Sequence, residues 1–518
     1  MIRFYRGGSR DSGLVKPLLL SLSAGMIGAC GFQPIGAWPL APLSIAVLLW
    51  LIGCAPHLRS ALARGWWFGA GQFAIGLNWI ATSFTYQANM PAWLGWVAVL
   101  LLACYLAVYP AVTAGFAWKC GRGGPIRLTA AFAAAWIVAE WLRATLFTGF
   151  AWNPLGVVLV STPWAWWATV FGTYGLAALV VAMAGLLCVA VRRQWRRAAG
   201  LALLIAAATI PQISTGRSPV AFTPLALRIV QPNIGQDVKW QEGSEQRHLA
   251  LLARLSRHDF RRPLLLLWPE AAVTLPMQDR RGDAYYRDRA AAQRKAATAM
   301  LGPKDLLLTG GITIGSVNGI DATSATNSIF ALDSGGRILA RYDKNHLVPY
   351  GEYLPMRPLL AWLGLSRLAP GDLDFAPGPG PQSFDLPGVG RVGFQLCYEI
   401  IFSGRVVDRQ RRPDFLFNPS NDAWFGAWGP PQHLAQARLR AIEEGLPVLR
   451  STPTGISAVI DADGRLVRSL PWRKAGIIDA QLPAAKPVTP FARFGNVMPL
   501  TFALLLAIAA IAARRKNR

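Results

Sequence analysis

The sequence predicts a bundle of membrane-spanning helices joined to an α/β sandwich domain. Of its 518 residues, 53% are hydrophobic and 15% are charged, which is too apolar for an ordinary water-soluble enzyme of this length. Residues 1–216 and 494–518 together hold 18 basic side chains against 2 acidic ones, whereas residues 217–493 hold 34 against 25. We therefore expect seven membrane helices in residues 1–216 and an eighth helix with a basic tail in residues 494–518. Residues 217–493 are long enough to form an α/β domain with its own core.

The membrane part is predicted from eight apolar segments. Each is long enough to cross a bilayer as a helix, which takes about 20 residues. Seven lie in residues 1–216 and one closes the chain. They are residues 15–34, 38–56, 66–86, 92–118, 128–147, 163–191, 198–214 and 496–513.

Basic residues alternate between the two sides of these segments. Lys and Arg near span ends are retained on the cytoplasmic side of a membrane. Clusters precede the first segment and follow the second, fourth and sixth, whereas the connection at residues 85–91 carries none. This pattern places residues 217–493 outside the cytoplasm and both termini inside. The clusters are Arg3, Arg6, Arg10 and Lys16; Arg59 and Arg64; Lys119, Arg122 and Arg127; and Arg192, Arg193, Arg196 and Arg197.

The α/β sandwich is predicted from short apolar runs that alternate with helical patterns in residues 217–493. Such runs are typical of buried strands, and the alternation with helices indicates a layered α/β domain. Helical patterns occupy residues 246–257 and 433–445. The predicted strands are residues 227–230, 264–268, 306–314, 328–332, 392–397, 415–417, 448–451 and 457–460.

Cys397 is the one cysteine in residues 217–493, since the other five lie in or beside the apolar segments. A free cysteine in a strand is usually a small buried hydrophobic residue. A lone thiol in an oxidising compartment also suggests a reactive group. The stretch GFQLCYEIIF, residues 393–402, is expected to form a strand that holds Cys397 rigidly, with Glu399 on the same face two residues later.

A nucleophilic thiol needs a base to accept its proton and a donor to stabilise an oxyanion. Glu270 closes LLLLWPE, directly after a predicted strand, and is the candidate base. Its alternative role is to stabilise the first turn of a following helix. Lys344, in residues 341–355, is the candidate donor. Its alternative is a place in a solvated loop, because that stretch is polar.

Seven longer motifs surround these residues. They are WPE at 268–270, YDKNHLVPYGEYLP at 342–355, CYE at 397–399, NPSNDAWFG at 418–426, QPNIGQDVKW at 231–240, EWLRATLFTGFAWNPLG at 140–156 and QHLAQARLRAIEEGLPVLRSTPTGISAVIDADG at 432–464. The first four resemble the nitrilase superfamily, whose catalytic domain carries a Glu, Lys, Cys triad in this chain order. With the apolar segments included, almost the whole chain resembles the apolipoprotein N-acyltransferases. Pro453 and Thr454 depart from that pattern, where asparagines are expected, as does Ala151, where proline is common.

The resemblance implies a nitrilase-like αββα sandwich and an acyl transfer in two steps. Cys397 would attack a phospholipid ester and become an acyl-thioester, leaving a lysophospholipid. Glu270 would act as the general base and Lys344 would stabilise the oxyanion. The acyl acceptor would be the free α-amino group of an N-terminal diacylglyceryl-cysteine on an apolipoprotein.

The resemblance also implies supporting residues. Glu352 and Glu399 match positions that support the triad, where they would orient Lys344 and keep it charged. Tyr398 matches a further supporting position, and Trp240 and Trp424 match positions for substrate binding or a lid. The protein would be a monomer of the bacterial inner membrane, with its catalytic domain in the periplasm and with phospholipid and apolipoprotein as partners.

Two other functions stay open at this point. A membrane-tethered carbon–nitrogen hydrolase, an amidase or nitrilase, would use the same triad on a small amide but would not need eight spans. A non-catalytic lipid or lipoprotein carrier would not need an intact triad. The sequence contains no Gly-rich phosphate loop, Cys/His metal cluster or nucleic-acid motif. No cofactor, metal or nucleic-acid partner is therefore expected.

Overall fold

The computed structural model describes residues 12–86, 90–210, 219–241, 243–259, 262–362, 368 and 373–515. The predicted basic cluster at Arg3, Arg6 and Arg10, the end of the seventh predicted segment, and the last three residues of the basic tail lie outside the described residues.

The described chain divides into two compact units. The helical unit holds the described residues up to Ala81, from Gly95 to residue 210, and from Phe494 onward. The sandwich unit holds those from Thr82 to Leu94 and from residue 219 to Arg493.

Helices lie in all eight segments that were predicted to cross a membrane. Among the described residues, three helices are long and apolar enough to do so by length and composition, namely Leu94–Cys120, Pro125–Arg143 and Pro163–Val191. The number of crossings therefore stays a prediction. Outside residues 217–493, the described helices are Ser12–Ala29, Leu40–Gly53, Leu58–Gly76, Trp79–Ser83, Leu94–Leu106, Val108–Cys120, Pro125–Arg143, Ala168–Val191, Trp195–Ala207 and Val497–Arg515, with 3₁₀ turns at Phe84–Tyr86, Leu155–Leu159 and Pro163–Trp167.

Glycines let the first and third helices of the helical unit approach each other closely. A Cβ atom on Gly25 would collide with the carbonyl group of Phe68, and one on Gly71 would collide with that of Leu22. Small residues at helix contacts are typical of membrane bundles, where close backbone packing replaces the hydrophobic driving force. The contact therefore fits a lipid environment.

Among the described residues, thirteen strands form two sheets in the sandwich unit. They are β1 (Phe222–Gln231), β2 (Leu264–Leu267), β3 (Pro276–Asp279), β4 (Leu306–Gly315), β5 (Ser324–Leu332), β6 (Ile338–Asp343), β7 (Ser383–Leu386), β8 (Gly390–Phe394), β9 (Phe415–Pro419), β10 (Val448–Ser451), β11 (Ala458–Ile460), β12 (Leu466–Ser469) and β13 (Gly476–Pro483). One sheet has the order β13-β1-β2-β4-β5-β6, with β3 also paired to β4, and the other has the order β12-β11-β10-β9-β8-β7.

The central strands of each sheet are parallel. In the first sheet β1 pairs with β2 and β2 with β4, and in the second β8 pairs with β9 and β9 with β10, all in parallel. Parallel neighbours point their carboxyl ends to the same edge of a sheet, where α/β proteins place their sites. A functional site is therefore expected in the segments that follow β2, β8 and β9.

Helices complete the layers on both sides of the two sheets. Val230, Leu266 and Phe330 of the first sheet pack with Leu252 and Ala297, which belong to the helices Glu245–Ser256 and Ala284–Thr298. The helix Gly429–Glu444 packs on β10 of the second sheet. The predicted α/β sandwich is therefore confirmed. Its other helices are Gln236–Lys239, Arg357–Trp362 and Pro490–Phe494, with 3₁₀ turns at Cys397–Ile401 and Asp422–Phe425.

The predicted strand through Cys397 is wrong at its end. Strand β8 stops at Phe394, and Cys397–Ile401 forms a 3₁₀ turn. Glu399 closes this turn, because its Oε2 accepts a hydrogen bond from the Leu396 amide at 2.7 Å and its own amide donates to the Leu396 carbonyl at 3.2 Å. Cys397 and Glu399 therefore do not share a strand face. An apolar run of residues does not reveal this side-chain hydrogen bond to the backbone.

Candidate active site

Glu270 lies just beyond the carboxyl end of β2, and its side chain is buried. Its Oε1 accepts a hydrogen bond from Nδ2 of Asn327 at 2.8 Å and lies 4.0 Å from Nζ of Lys344. Its Oε2 is buried without a hydrogen-bond partner among the described residues. Residues 271–275 form turns that lead into β3 rather than a helix, so the alternative helix-terminus role is wrong. The free oxygen is placed to accept a proton.

Gly310 of β4 holds the main chain of Glu270 in place from the neighbouring strand. Its amide donates a hydrogen bond to the carbonyl oxygen of Pro269 at 3.2 Å. A Cβ atom at position 310 would lie 2.7 Å from Cα of Glu270 and 2.6 Å from the amide nitrogen of Ala271. Any side chain there would displace the backbone that carries the carboxylate, so this close approach requires glycine.

Lys344 follows β6 and is a buried cation, with its side chain 1% exposed. Its Nζ lies 2.9 Å from each carboxylate oxygen of Glu352. Burial lowers the pKa of Lys344, but the carboxylates of Glu352 and Glu270 outweigh that effect and raise it above its ordinary value. The ammonium group therefore stays charged at neutral pH. The alternative of a solvated loop is wrong for this side chain.

Asn327 of β5 links the two carboxylates on either side of Lys344. Its Nδ2 donates to Oε1 of Glu270 at 2.8 Å and to Oε1 of Glu352 at 2.9 Å. Oε2 of Glu352 also accepts a hydrogen bond from the Val348 amide at 2.8 Å. One neutral side chain therefore links the candidate base to the carboxylate that pairs with Lys344.

Cys397 is buried at the start of the 3₁₀ turn, in the left-handed backbone region with φ = 52°. Burial raises the pKa of its thiol well above the ordinary value, and the nearby Glu270 carboxylate adds to the rise. The Lys344 ammonium and a hydrogen bond from the Asn421 amide act in the opposite direction without reversing it. At rest the group is a thiol, so a nucleophilic role requires a base that removes its proton.

A buried polar network holds the main chain of Cys397. The carbonyl oxygen of Cys397 accepts hydrogen bonds from Nε2 of His433 at 3.1 Å and from Nδ2 of Asn418 at 3.4 Å. Nδ1 of His433 lies 2.9 Å from Oδ1 of Asp422 and 3.0 Å from Nη2 of Arg450, and burial lowers the pKa of the ring. Arg450 also donates to both oxygens of Asp422, at 2.8 and 2.7 Å. The network therefore fixes the main chain at Cys397.

Glu399 holds the backbone that follows Lys344. Its Oε1 accepts hydrogen bonds from the Tyr342 hydroxyl at 2.7 Å, from the Asn345 amide at 2.8 Å and from the His346 amide at 3.1 Å. Burial raises the pKa of its carboxyl group, although hydrogen bonds from the Leu396 and His346 amides and the Tyr342 hydroxyl lower it. Glu399 therefore acts on the chain around Lys344, whereas Glu352 contacts the ammonium itself.

The three aromatic candidates have different surroundings. Tyr398 is buried, and its ring lies 5.7 Å from the ring of His346. Trp240 is 41% exposed at the end of the short helix Gln236–Lys239. Trp424 is half-buried, with its ring edge-on to that of Tyr86 at 5.9 Å. The two tryptophans are thus the more accessible, as a substrate contact or lid requires.

Sequence reasoning missed several residues that the structure brings to the site. Asn327 stands out only as a polar residue in the buried strand SATNSIFAL. His433 and Arg450 lie inside a quoted motif but about 35 and 50 residues after Cys397 in the chain, so spacing alone could not pair them with it. Pro453, which departs from the family pattern, still makes a main-chain contact. Its carbonyl oxygen accepts a hydrogen bond from the Asn233 amide at 2.7 Å.

The arrangement combines a base, a thiol and a fixed cation on one chain. These are the groups that acyl transfer through a thioester needs. Within the ranges that the structure describes, no group of three His, Cys, Asp or Glu side chains is placed to hold a metal ion. The chemistry open to these residues is nucleophilic attack on a carbonyl carbon.

Two family models match the chain. The apolipoprotein N-acyltransferase N-terminal domain matches residues 24–186, and the carbon–nitrogen hydrolase domain matches residues 227–486. The second match identifies the sandwich as a nitrilase-like domain.

Curated relatives match over nearly their whole length. The apolipoprotein N-acyltransferase of Bradyrhizobium diazoefficiens is 37% identical over 97% of this chain and 95% of its own. That of Rhodopseudomonas palustris is 34% identical over 97% of this chain and 96% of its own. Among solved structures, Nit3 of Saccharomyces cerevisiae, a member of branch 10 of the nitrilase superfamily, is 16% identical, with a TM-score of 0.37 over 50% of this chain and 90% of its own.

Proposed function

Because the chain belongs to the apolipoprotein N-acyltransferase family, we propose that Cys397, Glu270 and Lys344 carry its acyl transfer. The protein is an N-acyltransferase of lipoprotein maturation. It moves an acyl chain from a phospholipid to the α-amino group of the N-terminal diacylglyceryl-cysteine of an apolipoprotein. Family membership favours this activity over a hydrolase that acts on a small amide.

The first half-reaction loads the enzyme. Oε2 of Glu270 takes the proton of the Cys397 thiol while the sulfur attacks the ester carbonyl carbon of the phospholipid. The Lys344 ammonium stabilises the oxyanion that forms. When the intermediate collapses, the carbon–oxygen bond of the ester breaks, and the proton on Glu270 passes to the departing lysophospholipid alkoxide. The products are an acyl-thioester at Cys397 and a neutral lysophospholipid hydroxyl.

The second half-reaction transfers the acyl group. The neutral α-amine of the apolipoprotein attacks the thioester carbonyl, and Lys344 again stabilises the oxyanion. Glu270 takes the proton that the new amide nitrogen releases and returns it to the departing Cys397 sulfur. An amide forms, the carbon–sulfur bond breaks, and the enzyme returns to its resting state.

The observation that carries the proposal is the unpartnered, buried Oε2 of Glu270. Glu352 and Glu399, by contrast, have both carboxylate oxygens hydrogen-bonded. Glu270 instead keeps one oxygen for a proton, beside a fixed ammonium and a thiol that is protonated at rest. A non-catalytic lipid carrier would not need this arrangement.

The test is incubation of the purified protein with phospholipid alone. We expect intact mass spectrometry to show the addition of one acyl group, which hydroxylamine removes as it removes thioesters. Peptide mapping should place the group on Cys397 and on none of the other five cysteines. No adduct, or an adduct on another cysteine, would contradict the covalent mechanism.

The membrane arrangement is a further part of the proposal. We propose that residues 1–216 form seven spans, that residues 494–518 form the eighth span with a cytoplasmic tail, and that residues 217–493 form a periplasmic catalytic domain. The charge alternation supports this orientation. Both substrates are anchored in lipid, so the site must open at the membrane surface, and Trp240 and Trp424 are the candidates for its lid. One chain carries all three reacting groups, so a monomer suffices.

Reporter fusions test this orientation. A reporter that is active only in the periplasm should be active when it is fused after Gly216 and inactive when it is fused after Gly121, because Lys119, Arg122 and Arg127 hold the second junction inside. A cytoplasmic reporter at the same two junctions is the matched control and should give the reverse result. Periplasmic activity after Gly121 together with none after Gly216 would overturn the orientation.

A further inference from the structure

A cavity of about 380 Å³ lies where five helices of the helical unit begin or end. Its volume is in the range of sites for small ligands, about 300 to 1,000 Å³. All of its lining residues belong to the helical unit, so none is part of the candidate active site. The five helices are Leu40–Gly53, Val108–Cys120, Pro125–Arg143, Ala168–Val191 and Trp195–Ala207.

Three arginines line this cavity, namely Arg122, Arg192 and Arg197. The guanidinium group of Arg122 lies 3.7 Å from the centre of the Trp118 ring, in a cation–π contact. Nη1 of Arg197 donates a hydrogen bond to Oε1 of Gln194 at 3.1 Å. Trp118 and Gln194 also line the cavity. Two of the three guanidinium groups therefore have a partner in the cavity wall that restricts their position.

The positive charge of this cavity has no acidic counterpart nearby in the helical unit. Among the described residues of that unit, Glu140 is the single acidic side chain. It lies on the same helix as the lining residue Leu128, about 18 Å further along the helix axis. Three like charges at one cavity repel each other, so an anion that enters it lowers the free energy of the site.

The retention of basic residues on the cytoplasmic side explains why arginines occur at these helix ends, but not why they converge on one cavity. Three other basic residues beside the same helix ends are exposed and do not line it. They are Lys119, Arg193 and Arg196. The charge rule treats the two sets alike, whereas a binding site requires only the lining set.

We propose that this cavity binds the phosphate group of an anionic phospholipid. Arginine matches phosphate with two parallel hydrogen bonds, and basic pockets between membrane helices bind anionic lipid headgroups. Ile52 and Leu128 add an apolar part to the wall, as the glycerol and acyl part of a lipid requires. Because no carboxylate lines the cavity, the ammonium group of a zwitterionic headgroup is repelled there.

The proposal goes beyond the proposed function and takes from it only the membrane orientation. Under that orientation the cavity faces the cytoplasmic leaflet, whereas acyl transfer takes place on the periplasmic side. The bound lipid is therefore a structural partner of the helical unit and not the acyl donor. Because it binds the folded protein, it should raise the temperature of thermal unfolding.

The test measures lipid binding by the purified full-length protein in detergent, with native mass spectrometry and thermal unfolding. The probes are phosphatidylglycerol, phosphatidylethanolamine and inorganic phosphate. Both lipids carry ether-linked chains, which cannot donate an acyl group, so the result does not depend on acyl transfer.

Two triple variants are compared with wild type. The site variant combines Arg122→Gln, Arg192→Gln and Arg197→Gln. The matched control combines Lys119→Gln, Arg193→Gln and Arg196→Gln, and it removes the same number of charges beside the same helix ends. Any effect of charge on membrane insertion is therefore common to both variants.

We expect wild type to bind one phosphatidylglycerol at least about tenfold more tightly than phosphatidylethanolamine. The site variant should bind phosphatidylglycerol about tenfold more weakly or worse, because it loses charge-assisted hydrogen bonds to the phosphate. The control should stay within about twofold of wild type. Phosphatidylglycerol should raise the unfolding temperature of wild type and of the control but not that of the site variant.

Equal affinities of wild type for the two lipids, or equal losses in the two triple variants, would overturn the proposal. If inorganic phosphate stabilises wild type as much as phosphatidylglycerol does, the cavity binds a free anion and the lipid is ruled out as its occupant. Should the site variant fail to fold, Arg122→Gln compared with Arg193→Gln decides the same point. If lipid binding depends on Arg122 in a protein that never loads an acyl group, the proposed function fails and the lipid site stands.

Discussion

Glu270→Gln is expected to lower the rate of acyl-enzyme formation by about 10² to 10⁴, the usual contribution of a general base. The amide keeps the shape of the side chain and its contact with Asn327, but it cannot accept the thiol proton. The Cys397 thiol is protonated at rest, because burial raises its pKa well above the ordinary value. Loading should therefore depend strongly on this one proton acceptor.

The same variant should also fail in the second half-reaction. Any acyl-enzyme that accumulates on Glu270→Gln should stall when it is chased with excess lipopeptide, whereas wild-type acyl-enzyme should transfer its label. Single-turnover chase of labelled acyl-enzyme measures both rates, and Glu245→Gln, on the helix Glu245–Ser256, is the matched control. Loading and transfer at wild-type rates would mean that the carboxylate only anchors Asn327.

Lys344→Met is expected to lower the loading rate by about 10² to 10³, the cost of removing one oxyanion donor. The effect should appear in both half-reactions, because each passes through an oxyanion at the same carbon. The variant also leaves the buried Glu352 carboxylate without its cation, so we expect thermal unfolding at a lower temperature.

A double variant separates the two effects of losing Lys344. Lys344→Met with Glu352→Gln removes the unpaired charge and should recover part of the lost stability. If the rate stays low while stability returns, the ammonium acts on the reaction. If the rate recovers together with stability, Lys344 has only a structural role, and the proposed oxyanion donor must be sought elsewhere.

Strands and site residues differ in how far the sequence predicts them. The runs LLLLW and LLLTGGITI predicted β2 and β4, because buried parallel strands consist of continuous apolar residues. The strands β3, β6, β7, β12 and β13 were missed, since they are short or carry polar and charged residues, as in the largely exposed β12. The helix Ala284–Thr298 was missed because its many charged residues hide the apolar stripe that contacts the first sheet.

The site was predicted from motifs and not from contacts. Glu270, Lys344 and Cys397 were found because each stands in a recognisable motif. The roles of Asn327 and His433 depend on contacts between segments that lie 36 to 57 residues apart in the chain, which no local pattern contains. The turn at Cys397 depends on a single side-chain hydrogen bond from the Leu396 amide to Glu399, which an apolar run conceals.

Cys397 has a left-handed backbone conformation, which is unfavourable for the stability of the fold. A non-glycine residue in this region costs on the order of 1 to 2 kcal/mol, so glycine or asparagine would suit the turn better than cysteine. Neither of those residues has a nucleophile. The hydrogen bonds that Glu399 and His433 make to this turn offset the strain. The proposed nucleophile therefore occupies a backbone conformation that folding alone would assign to glycine or asparagine.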